Sequence, residues 1–527
     1  MAKGYLAIIL HAHLPYVRHP EHSDFLEERW FFEAITETYV PLLHAFQNLL
    51  RDGIQFRITL SLSPTLVAMM RDPLLCERYA HHLDKSIELA YRELDRTRHQ
   101  PEFHRSALMY RDVLERTRET WRRYQGNLVR GFREVHDTGN LELMTCTATH
   151  MFFPLGDRNW AAYRAQVRVA ADHHEAHVGV RPRGMWMGEC GYVRGVDELM
   201  REAGIRFTIL DTHALLFADR KPVYGVYAPV YCPSGVAAFG RDPESSKQVW
   251  SANEGYPGDP IYRDFYRDVG FDLPHDYIGP YIHPDGIRIH TGIKYYRITH
   301  RQMDGKQPYD PAAAVARTAE HAGNFLFNRE RQIEYLAGRM DRPPLIVSPY
   351  DAELFGHWWY EGPHFLEYLF RKMQHDQAAV EPVTPSGYLA RHPTNQVTTP
   401  CTSSWGYKGY GEFWLDGGNH WVYRHLHKAA ERMAEMARTN PDAQGLRRRA
   451  LNQAARELML AQASDWAFIL KTGTAVDYAI RRHGDHITRF NTIYDGLKKG
   501  ELSEAWLSDV ESKDNVFPYV DYQVYAS

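Results

Sequence analysis

The sequence predicts an α/β fold: a distorted parallel (β/α) barrel with a helical insertion and an α-helical C-terminal domain. Three observations predict it. Short apolar runs recur along the chain and several end in polar or reactive residues; longer amphipathic segments lie between them; and two helix-favouring stretches interrupt that alternation. Strands that alternate with helices pair in parallel, and the loops that follow such strands build one active face.

The apolar runs come in order. Tyr5–Leu10 leads into His11, Phe56–Leu62 into Ser63-Pro64, and Leu141–Thr145 towards His150. Gly184–Met187 then leads to Glu189, Phe207–Leu210 to Asp211, Val236–Phe239 to Arg241 and Leu345–Val347 to Asp351. Each run is short enough for a strand, and each delivers polar groups at its carboxyl end. From about Asp72 to Asp137 the chain is dense in Arg and Glu and poor in Gly and Pro, which predicts a helical insertion. Beyond the Pro- and Thr-rich stretch Pro382–Pro400, helical segments are expected near Val422–Arg438, Gly445–Ala463 and Thr474–Lys499. The expected organisation is a catalytic barrel over 1–395 containing the insertion at about 72–137, then a helical domain over 396–527.

At 527 residues the chain exceeds one ordinary core. Lys+Arg 62 against Asp+Glu 66 gives a net charge of −4, with no excess to drive nucleic-acid or membrane binding. The five cysteines are odd in number, widely spaced and lack C-x-x-C pairing, so neither a disulfide framework nor a structural zinc site is expected. The apolar run Tyr5–Leu10 is too short for a signal-peptide core or a span, and a cytoplasmic enzyme is the expectation. Aromatic residues make up 13% of the chain, enough to supply flat faces for sugar rings as well as core.

Four constellations carry chemistry. The block Ser348 to Gly362 sets acids, a histidine and five aromatic side chains behind an apolar strand, a mixture suited to protonating a glycosidic oxygen beside stacked pyranose rings. In His11-Ala12-His13 the two histidines share one strand face; with His150 they suit either hydrogen bonds to hydroxyls or a metal. The turn Gly188-Glu189-Cys190-Gly191 presents a single carboxylate after a strand; it and Asp351 can flank one glycosidic bond as nucleophile and acid/base, with spacing alone leaving the roles open. Arg241 with Trp250 and Gly258, then Trp405, Trp414 and Asp465, are candidates for subsite walls. A metal-dependent hydrolase or deacetylase using His11 and His13, and a non-catalytic glucan-binding protein, are the readings from other classes.

Taken together, His11 to Pro15, Glu142 to His150, Trp186 to Glu189, Ser348 to Gly362 and Ser404 to Gly406 resemble the ordered motifs of glycoside hydrolase family 57, in its branch of 1,4-α-glucan branching enzymes and amylase-like relatives. The resemblance implies a distorted seven-stranded (β/α)7 barrel without metal or other cofactor. It implies Glu189 as nucleophile and Asp351 as acid/base. His11, His13 and His150 would line the cleaved bond. Arg241, Gly258, Trp405 and Asp465 would contact the glucan, with Trp30, Trp250 and Trp414 as further ring-facing candidates. Branching members carry a tyrosine-tipped loop over the cleft, for which Tyr224, in the compact Leu215–Val236 segment, is the candidate. The implied partner is an α-1,4-glucan. Branching is the first expectation and amylase-type hydrolysis its alternative, while the oligomeric state is unspecified.

Overall fold

The computed structural model describes residues 2–526 except 158, 252–253, 300–301 and 303–304. Among them, seven strands run parallel in the spatial order β7-β5-β4-β3-β2-β1-β8. They are β1 (Gly4–Ala12), β2 (Ile58–Leu62), β3 (Leu141–Cys146), β4 (Gly184–Trp186), β5 (Phe207–Leu210), β7 (Ala237–Gly240) and β8 (Leu345–Asp351). All seven runs read from the sequence are strands. Two short strands complete the sheet: β6 (Val230–Tyr231) pairs antiparallel with β7, and β9 (Val380–Pro382) pairs parallel with the start of β1.

The sheet curls until β7 approaches β8, where closure is made without a ladder. The Asp242 N–H donates to Val347 O at 2.8 Å, and the Leu345 N–H donates to Tyr227 O at 2.9 Å. This is the distorted barrel. Alternation along the strands sorts the side chains. Leu6, Ile8 and Leu10 face the surrounding helices, whereas Ala7 and Ile9 join Met144, Cys146, Trp186, Phe207, Ile209, Ala237, Phe239, Leu345 and Val347 in a separate interior cluster. Continuing the interior parity beyond the apolar residues reaches His11 on β1, Asp211 after β5, Arg241 after β7 and Asp351 on β8. The period that packs the barrel also aims these polar groups at its mouth.

The insertion after β2 is helical throughout its length: Pro73–Thr97, Pro101–Arg123 and Leu128–Asp137. Asp72 caps the first helix by accepting from the Leu75 N–H at 3.1 Å, with Pro73 suited to the first helical position. Beyond the barrel come helices Trp421–Thr439, Gly445–Ala461, Ser464–Thr472, Val476–Lys499 and Glu504–Lys513.

One further lobe was not signalled by apolar periodicity. Between β7 and β8, the described residues of 254–310 form turns, one-turn helices and isolated bridges, held from within by buried charge. Asp268 accepts four hydrogen bonds, from the N–H groups of Gly270, Thr291 and Gly292 and from Thr291 Oγ1. Arg263 lies 3.8 Å from Glu37 and stacks over Tyr360 at 3.9 Å. Polar satisfaction takes the place of a regular ladder there.

Candidate active site

Glu189 sits at the end of β4 in a strained turn. Its backbone is left-handed, with φ 59°, followed by Cys190 at 52° and facing His150 at 61°. Non-glycine residues in this region cost about 1 kcal/mol each and persist where surrounding structure imposes them, commonly at functional sites. Gly188 explains part of the constraint: a Cβ there would stand 2.6 Å from His150 O and 2.7 Å from Met151 O. The close crossing of the two loops therefore demands glycine before the acid.

The Glu189 carboxylate accepts from Trp405 Nε1 at 2.8 Å on one oxygen and from Ser464 Oγ at 3.2 Å on the other. The Trp405 backbone N–H also donates to Glu189 O at 3.0 Å. Burial pushes the carboxyl up to about 7, Asp465 adding to the rise while Trp405, His13 and Ser464 oppose it. Its side chain keeps 17% exposure, so the group is desolvated yet open to the cleft. Asp351 is pushed well above the usual carboxylate range by burial, then by Glu353 and Glu189, with Arg241 pulling the other way. Glu189, at the end of β4, thus raises Asp351 at the end of β8, so a charged Glu189 favours a protonated Asp351.

Around them the histidines form a stack. His13 lies 3.9 Å from His150 ring to ring, and His11 lies 4.6 Å from Trp186, at interplanar angles of 11° and 9°. His11 and His150 share a hydrogen bond between their Nε2 atoms at 3.0 Å, while their Nδ1 atoms meet Ser61 Oγ at 3.1 Å and Ser464 Oγ at 2.8 Å. Burial, then neighbouring imidazoles, lowers both rings well below the usual histidine value, so both stay neutral at pH 7. His13 Nε2 meets Asp465 at 3.1 and 3.2 Å, and its backbone N–H donates to Glu353 Oε1 at 3.1 Å. Ser464 and Asp465 open the helix Ser464–Thr472, so a segment beyond residue 460 supplies groups to the barrel mouth.

His13, His150 and Asp465 bring potential ligand atoms within 4.8 Å of one another, as do His11, Cys146 and His150. Both ring nitrogens of His11 and His150 are engaged by hydrogen bonds, and a cation in either group would have to displace them.

Arg241 follows β7, bonds Asp211 at 3.2 Å and Ser246 Oγ at 2.7 Å, and lies 5.6 Å over the Trp405 ring. Trp405 in turn meets Trp250 edge to face at 5.9 Å, and Trp250 remains 37% exposed. The structure thus gathers Glu189, Asp351, His11, His13, His150, Arg241, Trp250, Trp405 and Asp465.

Other candidates lie elsewhere. Trp414 is buried, stacked on Phe152 at 4.4 Å and covered by Gly406, whose Cβ would come 2.5 Å from the indole; it is core, with no free face for a sugar. Trp30 is half-buried, edge-on to Tyr478 at 5.7 Å. Gly258 ends a short turn whose Tyr256 packs on His321 and Phe365. Tyr224 bonds Asp341 and lies beside Arg342, just before β8 begins. That is the end of the barrel opposite Asp351, so Tyr224 does not cover the cleft.

Comparison with known proteins gives the family. The family model of glycosyl hydrolase family 57 matches residues 7–400. The chain belongs to that family. A second model, 1,4-alpha-glucan branching enzyme, C-terminal, matches residues 425–525. The chain is 31% identical to a 1,4-alpha-glucan branching enzyme of Thermococcus kodakarensis, over 98% of this chain and 79% of that one. The crystal structure of the alpha-amylase AmyC from Thermotoga maritima superposes with TM-score 0.93 at 46% identity, covering 99% of both chains. The branching enzyme of family 57 from Pyrococcus horikoshii superposes with TM-score 0.88 at 28% identity, covering 100% of this chain and 97% of that one.

Within this family-57 site, sequence reasoning missed Ser464, Glu353 and Asp211 as site groups. Asp211 and Glu353 were legible as acids at or just past strand ends; for Ser464 the one signal was its place beside Asp465, since its partners His150 and Glu189 are 314 and 275 residues away.

Proposed function

We propose that this chain is a retaining 1,4-α-glucan branching enzyme that uses Glu189 as nucleophile and Asp351 as acid/base. Glu189 attacks the anomeric carbon of an α-1,4 link as Asp351 gives its proton to the departing 4-oxygen, leaving a covalent glucosyl-enzyme. Asp351, now ionised, takes the proton of an incoming 6-hydroxyl, which displaces Glu189 and forms an α-1,6 branch. Neutral His11 and His150 add no charge to oppose the oxocarbenium-like transition state, and Arg241 with Trp405 holds the chain. The observation that carries the reading is the placement of Glu189 and Asp351 at the ends of two strands of one barrel mouth, Glu189 held by Trp405 and Ser464 and raising Asp351, which suits one charged and one protonated acid as retention requires. The match of residues 425–525 to the branching-enzyme C-terminal model favours transfer. We place the working boundary between barrel and helical domain at 395/396, and the protein in the cytoplasm; among the described residues no helix is long and apolar enough to cross a membrane.

Amylase-type hydrolysis is the second reading, favoured by the 46% identity to AmyC and by the position of Tyr224 away from the cleft. Incubation with amylose separates the two. Branching yields α-1,6 linkages, released as short chains by a debranching enzyme, with few new reducing ends. Reducing ends without branches would establish hydrolysis instead.

A further inference from the structure

The loop after β8 carries a second aromatic feature outside the group just described. Trp358 is 54% exposed, although its indole lies flat on Phe265, at 4.3 Å between centroids and 22° between planes. One face of the indole is therefore backed and the other is open to solvent. Phe265 is itself fixed: Lys294 lies 4.4 Å over its ring and donates to its carbonyl, and His357 and Tyr266 meet it edge-on at 5.2 Å. His357 is pinned to the helical segment behind it, its Nδ1 2.8 Å from Glu37 Oε2 and its N–H donating to Thr38 Oγ1 at 3.2 Å. Gly356 permits that approach, since a Cβ there would stand 1.8 Å from Glu37 O. The exposed ring is thus held on a rigid mount, with little ordering left to be done on binding.

The same mount is continuous with the catalytic floor. The Trp358 N–H donates to Glu353 O at 3.2 Å, and the Glu353 carboxylate receives the His13 N–H at 3.1 Å and the Tyr39 hydroxyl at 2.5 Å. Further exposed rings surround Phe265: Tyr266, 65% exposed and edge-on to it, and Phe271, 47% exposed, which reaches it through His290. Flat rings interspersed with imidazole, ammonium and phenol groups offer both faces for pyranose rings and partners for hydroxyls.

We propose that Trp358, backed by Phe265, is an outlying subsite that grips an α-1,4-glucan chain beyond the residues at the catalytic pair. This inference rests on glucan being the substrate and does not depend on whether the product is branched or hydrolysed. It requires dependence on chain length: a long chain reaches the Trp358 ring and a short one gains little from it.

The test measures retention of the Glu189→Gln protein, with and without Trp358→Ala, by amylose and by maltotriose. The expected result is amylose affinity about tenfold weaker in Trp358→Ala, in the range for losing one ring-stacking contact, with a much smaller change for maltotriose. Trp358→Tyr should restore most of the loss. Equal amylose affinity with and without the ring would overturn the inference, as would an equal loss for both ligands, no glucan binding by either protein, or a changed oligomeric state in Trp358→Ala. The branching reading fails separately, in the product assay of the unmodified enzyme.

Discussion

Two clusters of buried charge invite comparison, one at the barrel mouth and one among the C-terminal helices. In the second, Asp514 receives Arg489 Nη1 at 2.5 Å and Arg482 Nη2 at 3.4 Å, and His486 Nδ1 lies 2.7 Å from Glu457. Burial works against the Asp514 charge, yet His486, Arg482 and Arg489 outweigh it and hold the carboxyl well below its ordinary value. Burial also drives His486 towards neutrality, so the two arginines carry the compensation. At the barrel mouth the balance is reversed. Arg241 is turned to Asp211, His11 and His150 are neutral, and both Glu189 and Asp351 are pushed up. The C-terminal cluster also holds a raised carboxyl, Glu457, pushed up by burial and Asp514, but its Asp514 is compensated by arginines, whereas neither acid of the catalytic pair is.

Substitutions sharpen that contrast. Glu189→Gln should lower kcat by about 10^4-fold or more, since no other carboxyl can take its position, while urea denaturation stays near that of the unmodified protein. Asp514→Asn should do the opposite. It removes the bonded counter-charge of Arg482 and Arg489 and should cost about 3–5 kcal/mol, read as a lower denaturation midpoint, while the folded fraction keeps its kcat.

Ser464→Ala probes the seam between helical region and barrel. Its hydroxyl stabilises the charged form of Glu189, so removing it should raise that carboxyl further. Activity needs the Glu189 carboxylate and is lost as pH falls through about 7, the value for the unliganded site. The acidic limb of kcat/KM against pH should therefore move upward in Ser464→Ala, with roughly a tenfold loss at pH 6. An unmoved limb would mean that Ser464 is only packing. The smallest effect is expected of Tyr224→Ala: less than about 0.5 kcal/mol in stability, as at ordinary surface sites, and no change in the ratio of branches to reducing ends.

Much of this arrangement was legible in the chain. Apolar runs ending in His11, Glu189, Arg241 and Asp351 gave strands and site together, because one period sets both barrel packing and the direction of the next polar residue. Trp414 and Tyr224 were misread for a shared reason: an aromatic residue near a motif carries no record of which way its ring turns. Trp414 turns into Phe152, and Tyr224 turns to Asp341 at the far end of the barrel. Ser464 stands beside the candidate Asp465, but its bonds to His150 and Glu189 were hidden by distance along the chain. The lobe over 254–310 was hidden because buried ion pairs and carboxylate-capped turns leave no hydrophobic period to read.

The most direct test of the division of roles uses Asp351→Asn and α-maltosyl fluoride. Fluoride departs without needing a proton, so Glu189 can still attack, but the resulting glycosyl-enzyme lacks the base that would activate an acceptor. Mass spectrometry should find one maltosyl group on the protein, on the peptide containing Glu189. An adduct on any other carboxylate, or fluoride release with the protein left unmodified, would contradict the assignment of Glu189 and Asp351.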